Sequence, residues 1–326
     1  MALTAADIIR SPEIYPHALD AKGEHLHLVK LTQTDYRAAS FLDGRMLTPE
    51  MEIGWAPLAV LAVAAKQVQA KPLRFIFHTG HVGSTLLSRL LDDVPGVLSL
   101  REPLPLRALA ENPDPQILDT LLRLWSRGFA GTSHVIVKAT SMAGVLAPTI
   151  MIVAPESRGV YLHLKAEPYL ATIIAGSDTA KDQAAFAPLR AGRIAARLKD
   201  NSIPQPQSPG EYAALTFLAE GLARADALAA QPERMLGVDF EDLLADVDGV
   251  LASIAAHFTL PEHAVPQAAI AHQMGRYSKS PDSAYSPALR AQILDEARTK
   301  AGHEIRAGLA WLENIAARHA VVADLL

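Results

Sequence analysis

Residues 79–85, Thr-Gly-His-Val-Gly-Ser-Thr, combine the features of an anion-binding turn. An apolar run, RFIFH at 74–78, leads into them, and STLLSRLLDDV at 84–94 follows with Leu86, Leu87, Leu90 and Leu91 at helical spacing. Gly80 and Gly83 let the backbone turn N–H groups inward, and the helix start adds partial positive charge, which together suit a phosphate. The Walker form of this loop would place Lys-Ser/Thr directly after the second glycine. Here Ser84 stands at the lysine position and His78 at the first glycine position. A loop without that lysine lacks the charge that neutralises a transferring γ-phosphoryl, which disfavours kinase or ATPase chemistry. The plain alternative is a tight turn whose glycines serve geometry alone.

In-line group transfer also needs a base near the acceptor's proton and cations on the charged oxygens. Glu102 follows the strand-like VLSL at 97–100, and Lys138 ends another such run, VIVK. Both should stand at the carboxyl edge of a sheet, beside the turn, where α/β proteins bind ligands. Other chemistries are poorly supported. The chain has no cysteine, so thiol nucleophiles and Cys-ligated metals are excluded. Its 12 histidines form no HxxxH or HxxEH pair, and no metal is expected. Ser84 is not flanked by glycines as a hydrolase elbow requires. The acids Asp239, Glu241, Asp242, Asp246 and Asp248 read as helix caps and solvated charge.

Short apolar runs at 74–78, 97–100, 134–139, 159–164 and 234–240 alternate with helical patterns. That order predicts an α/β fold, a parallel β-sheet flanked by helices on both faces. Residues 1–70 read as a mostly helical segment packed on a main domain of 71–326, with helices over 7–10, from a Thr34 cap to 47, and over 56–69. NSIPQPQSPG at 201–210 is a surface connection between helices. With 326 residues, 50% hydrophobic and 20% charged, the chain can bury a full core without staples. A net charge of −5 argues against a general nucleic-acid surface. The apolar stretches 55–65 and 143–155 are too short to span a membrane, and the first residues lack a signal-peptide pattern, so a cytoplasmic protein is expected.

The turn and its surroundings resemble the sulfotransferase family. Many members carry a strand, then Pro-Arg-Ser-Gly-Ser-Thr-Leu-Leu, then Glu-Pro about fifteen residues on. This chain has Gly80-His81-Val82-Gly83-Ser84-Thr85-Leu86-Leu87 and then Arg101-Glu102-Pro103, and its GVDFEDLL at 237–244 is similar to the family's Tyr-Glu-Asp-Leu segment. The resemblance spans roughly residues 72–280 and implies a P-loop-like fold that binds 3′-phosphoadenosine 5′-phosphosulfate and needs no metal. It implies a 5′-phosphate on Thr79, Gly80, His81, Val82, Gly83, Ser84 and Thr85, with His81 at the place of the loop's basic residue. It further implies Glu102 as the base and Lys138 as a contact to the transferring group. The family's 3′-phosphate arginine falls on Lys165, in Lys165-Ala166-Glu167-Pro168, with Ser177 among the nearest hydroxyls. A closing basic loop falls on Arg276-Tyr277-Ser278-Lys279.

The resulting expectation is sulfuryl transfer to a hydroxyl or amine of a small molecule, with the N-terminal segment capping the acceptor pocket. Two alternatives stand beside it: an ATP-dependent small-molecule kinase, and a non-catalytic nucleotide- or partner-binding protein on the same fold. Neither the acceptor nor the oligomeric state is legible in the sequence.

Overall fold

The computed structural model describes residues 4–176, 179–261, 265–277, 280–284 and 286–326, and only the backbone of 179–182, 276–277 and 280–284. Strands β1 (Ile14–Leu19), β2 (His25–Lys30) and β3 (Glu52–Pro57) form an antiparallel sheet. β4 (Leu73–His78), β5 (Val97–Arg101), β6 (His134–Lys138), β7 (Arg158–His163) and β8 (Met235–Asp239) form a parallel sheet in the order β5-β6-β4-β7-β8. Helices lie between successive strands, so the α/β expectation holds. β4 sits centrally because both its faces are apolar. Phe75 and Phe77 pack on one side with Val137 and Tyr161, while Ile76 packs on the other with Ile136 and Val160. A strand covered on both faces reads as one continuous apolar run, which is why RFIFH was legible.

The N-terminal segment differs from its expected helical form. It contains three strands, and the helix expected from Thr34 is short, Gln33–Ala38, capped by Thr32. Thr32 and Asp35 form a capping box, so the helix begins two residues earlier than expected. In β2 the sequence alternates His-Leu-His-Leu, but the strand is buried on both faces from Leu26 to Val29, His27 included. Two buried arginines clasp this segment by its backbone carbonyls. Arg127 donates to Ile8, Ser11 and Ile14, and Arg101 to Tyr36 and Ala39. Where a closing basic loop is expected, β9 (Arg276–Tyr277) pairs antiparallel with β10 (Ser280–Ala284). Among the described residues no helix is long and apolar enough to cross a membrane.

Candidate functional site

At the end of β4 the chain makes the expected turn. Thr79 N–H donates to Leu162 O at 3.0 Å, and Gly80 N–H donates to Glu220 Oε2 at 2.6 Å. His81 (φ 62) and Gly83 (φ 71) are both left-handed, and the helix Ser84–Asp92 then opens with no side chain capping it. Only glycine fits at 83, because a Cβ there would overlap the Phe240 ring. The first N–H groups of a helix have no intrahelical partner, and their dipole favours an anion. A cleft of about 350 Å³ opens over this helix start, within the usual range for small-molecule sites. Its lining includes His81, Gly83, Ser84, Thr85, Glu102 and Lys138, so the structure brings these sequence-selected residues together. Gly80 departs from expectation, since its N–H turns into the protein rather than toward a ligand.

Lys138 and Glu102 form an ion pair at the carboxyl edge of β6 and β5. The lysine is 1% exposed and the glutamate 21%, so the carboxylate is the member that reaches solvent. Burial lowers the Lys138 pKa, and the Glu102 charge opposes that shift. Glu102 is left-handed (φ 56) with its N–H bonded to Lys138 O at 2.7 Å, which swings its side chain out of the strand direction. Arg101 faces elsewhere, pairing with buried Asp92 at 2.6 Å. From the N-terminal segment, the Phe41 ring lies 5.7 Å from Lys138 Nζ, with the Arg45 guanidinium 3.9 Å over the same ring.

Two residues that sequence reasoning missed complete the cleft. Arg290, in the helix Pro287–Ala316, stacks over Phe240 at 5.2 Å and pairs with Glu241 at 2.8 Å. Among the described residues its buried Nη2 finds no hydrogen-bond partner, and neither does Thr85 Oγ1. Both residues line the cleft. Other side chains also hold buried unpaired atoms, but among the described residues only these two belong to residues that line the cleft, where an anion could supply the missing acceptor. His78 is the other missed residue. Its Nδ1 and Nε2 lie 2.8 and 2.9 Å from the carbonyls of Thr79 and Ala139, and a neutral ring, with its single N–H, donates to only one of them at a time. Burial, helped by the Lys138 charge, lowers its pKa to about 3, so the ring is neutral.

The expected 3′-phosphate residues do not join this group. Lys165 is exposed at the N-cap of the helix Ala166–Ala175 and does not line the cleft, because β7 turns straight into that helix and sends the side chain to solvent. Thr172 does line it, though its hydroxyl donates back to Pro168 O at 2.7 Å. Ser177 and Lys279 lie outside the described residues, and of Arg276 only the backbone in β9 is described. Among the described residues, Asp20, Glu24 and His25 gather closely enough to hold a metal. They sit at the β1–β2 turn and line no part of the cleft, and Asp20 is occupied by the Glu24 and His25 backbone.

No family model matches the chain, and no curated protein matches it in sequence. Among solved structures it is similar to a sulfotransferase domain from the curacin biosynthetic pathway, at 14% identity over 74% of this chain and 98% of that one, TM-score 0.39. A sulfotransferase from Alicyclobacillus acidocaldarius shows 15% identity over 76% of this chain and 96% of its own, TM-score 0.40. The mouse sulfotransferase SULT7A1, complexed with PAP, shows 12% identity over 81% of this chain and 92% of its own, TM-score 0.42. Likenesses this distant carry no residue's role across, so function must rest on the cleft's own groups.

Proposed function

We propose that the protein is a sulfotransferase that takes 3′-phosphoadenosine 5′-phosphosulfate as donor and a hydroxyl or amine of a small molecule as acceptor. One juxtaposition carries this reading. The uncapped helix start, with the orphaned donors of Thr85 and Arg290, borders the same cleft as the Lys138–Glu102 pair. The first set fits a phosphate, and the second supplies a base beside a cation. With Ser84 in place of the Walker lysine, the loop suits a phosphosulfate better than a triphosphate with its magnesium.

Each residue has a definite task in such a transfer. Glu102, the solvent-reaching partner of the pair, accepts the proton of the attacking hydroxyl as its oxygen bonds to sulfur. Lys138 keeps that carboxylate ionised and places positive charge at the transferring group. As the sulfur–oxygen bond to the phosphate breaks, the Gly83–Thr85 helix start and Arg290 receive the charge left on the phosphate oxygens. Phe41, with Arg45 over its ring, stands beside Lys138 just outside the cleft lining, on the side from which an acceptor would approach the pair.

Thermal unfolding with 3′,5′-adenosine bisphosphate, with ATP–Mg²⁺ and without ligand tests this reading. Ligand at about a hundred times its Kd adds roughly 2.7 kcal/mol of stability. The bisphosphate should raise the Tm by several degrees. Stabilisation by ATP–Mg²⁺ alone would replace the reading with a kinase, and stabilisation by neither would favour a non-catalytic protein.

A further inference from the structure

Behind the phosphate turn, on the side away from the cleft, stands a carboxylate that none of this chemistry uses. Glu220 belongs to the helix Pro209–Ala230 and is 5% exposed. Its Oε2 accepts the Gly80 N–H at 2.6 Å and the Tyr169 hydroxyl at 3.3 Å. Gly80 is packed against this group, with Glu220 Oε2, Ser141 Oγ and the Tyr169 hydroxyl all within 4 Å of where a Cβ would sit. Electrostatics alone would not put a carboxylate here, because its charge repels an anion held by the same loop. Arg193 lies within Coulombic reach of it and offsets part of that repulsion.

We propose that Glu220 is a positioning residue for the phosphate turn. By holding the Gly80 N–H inward, it fixes the Thr79–Gly80 peptide plane, one residue before the left-handed His81. That leaves the helix start at Gly83–Thr85 on the cleft side, set for an anion before one arrives. The inference rests on the turn being an anion site and is independent of whether the transferred group is sulfuryl.

Removing the charge and removing the acceptor then have separable effects on binding. Glu220→Gln keeps an oxygen for Gly80 and loses the repulsion, so it should bind 3′,5′-adenosine bisphosphate as tightly as wild type or a few-fold tighter. Glu220→Met keeps the volume and offers Gly80 no acceptor, so it should bind about tenfold to a hundredfold more weakly. Isothermal calorimetry reads both. A second measurement needs no variant: in wild-type amide NMR spectra, the Gly80 resonance should be far downfield and move little when the bisphosphate is added, while those of Gly83, Ser84 and Thr85 move. A Gly80 resonance that moves as much as these, or E220M binding as tightly as wild type, overturns the positioning role. So does E220Q weakening as much as E220M. If wild type binds no bisphosphate, the anion-site reading falls first and takes the positioning role with it.

Discussion

Glu102→Gln should destabilise the protein more than Lys138→Met, although both break the same ion pair. The asymmetry follows from exposure: Lys138 is 1% exposed and Glu102 21%. Replacing the carboxylate leaves a buried ammonium facing a neutral amide. Breaking a buried pair from one side costs about 3–5 kcal/mol, and the glutamine oxygen, still able to accept, brings that to about 2–3 kcal/mol. Replacing the lysine leaves a carboxylate that retains water, for a cost of about 1 kcal/mol. The double variant E102Q/K138M should therefore be more stable than E102Q alone, since it removes the stranded charge.

The effect should also depend on pH. Burial lowers the Lys138 pKa below the ordinary 10.5, and Glu102 is what raises it back. Without Glu102 it falls further. The unfolded chain then binds more protons than the folded one between that lowered value and 10.5, so stability rises with pH across this window. The E102Q deficit should narrow as pH rises toward 10.5. Guanidinium denaturation followed by tryptophan fluorescence, with matching m-values, measures all three variants. An E102Q/K138M protein less stable than E102Q, or an E102Q deficit that widens with pH, would refute the reasoning.

Arg290→Gln removes the orphaned guanidinium nitrogen, and calorimetry should show bisphosphate affinity reduced about 10- to 100-fold, the worth of a charge-assisted hydrogen bond. Gly83→Ala forces a left-handed alanine into the Phe240 ring and should cost about 2–4 kcal/mol in denaturation midpoint experiments. Gly192→Ala, in a helix with open space around it, should be neutral or stabilising in the same experiments. His78, with its pKa lowered from 6.5 to about 3, binds its proton in the unfolded chain first, so it costs stability as pH falls through that window. His78→Gln should therefore lose less stability than wild type between pH 6.5 and pH 4. A residual slope should remain, from His163 and other histidines with lowered pKa values.

The parallel sheet was legible because its strands are short apolar runs, most of them buried on both faces, and each is followed by a helix. The turn at 79–85 was legible for a related reason: its glycines and hydroxyls are contiguous. Glu102 and Lys138 could be placed from strand ends alone, and the structure joins them. The N-terminal sheet was missed although His25-Leu26-His27-Leu28 alternates as a strand does, because buried His27 reads in sequence as a surface residue. Lys165 stands exposed and outside the cleft lining, because a strand end fixes a backbone position and not where a long side chain goes. Glu220 and Arg290 left no local sign. Glu220 meets the turn across 140 residues of chain, and Arg290 reaches the cleft only through helix packing over Phe240.

The central claim is the transfer itself. Incubating the protein with 3′-phosphoadenosine 5′-phosphosulfate and a panel of small hydroxyl and amine acceptors, and reading products by high-resolution mass spectrometry, tests it directly. The account predicts an acceptor that gains one SO₃ with stoichiometric release of 3′,5′-adenosine bisphosphate, and much slower transfer by Glu102→Gln at unchanged donor affinity. Transfer of a phosphoryl group from ATP to the same panel, or sulfuryl transfer undiminished in Glu102→Gln, would contradict it.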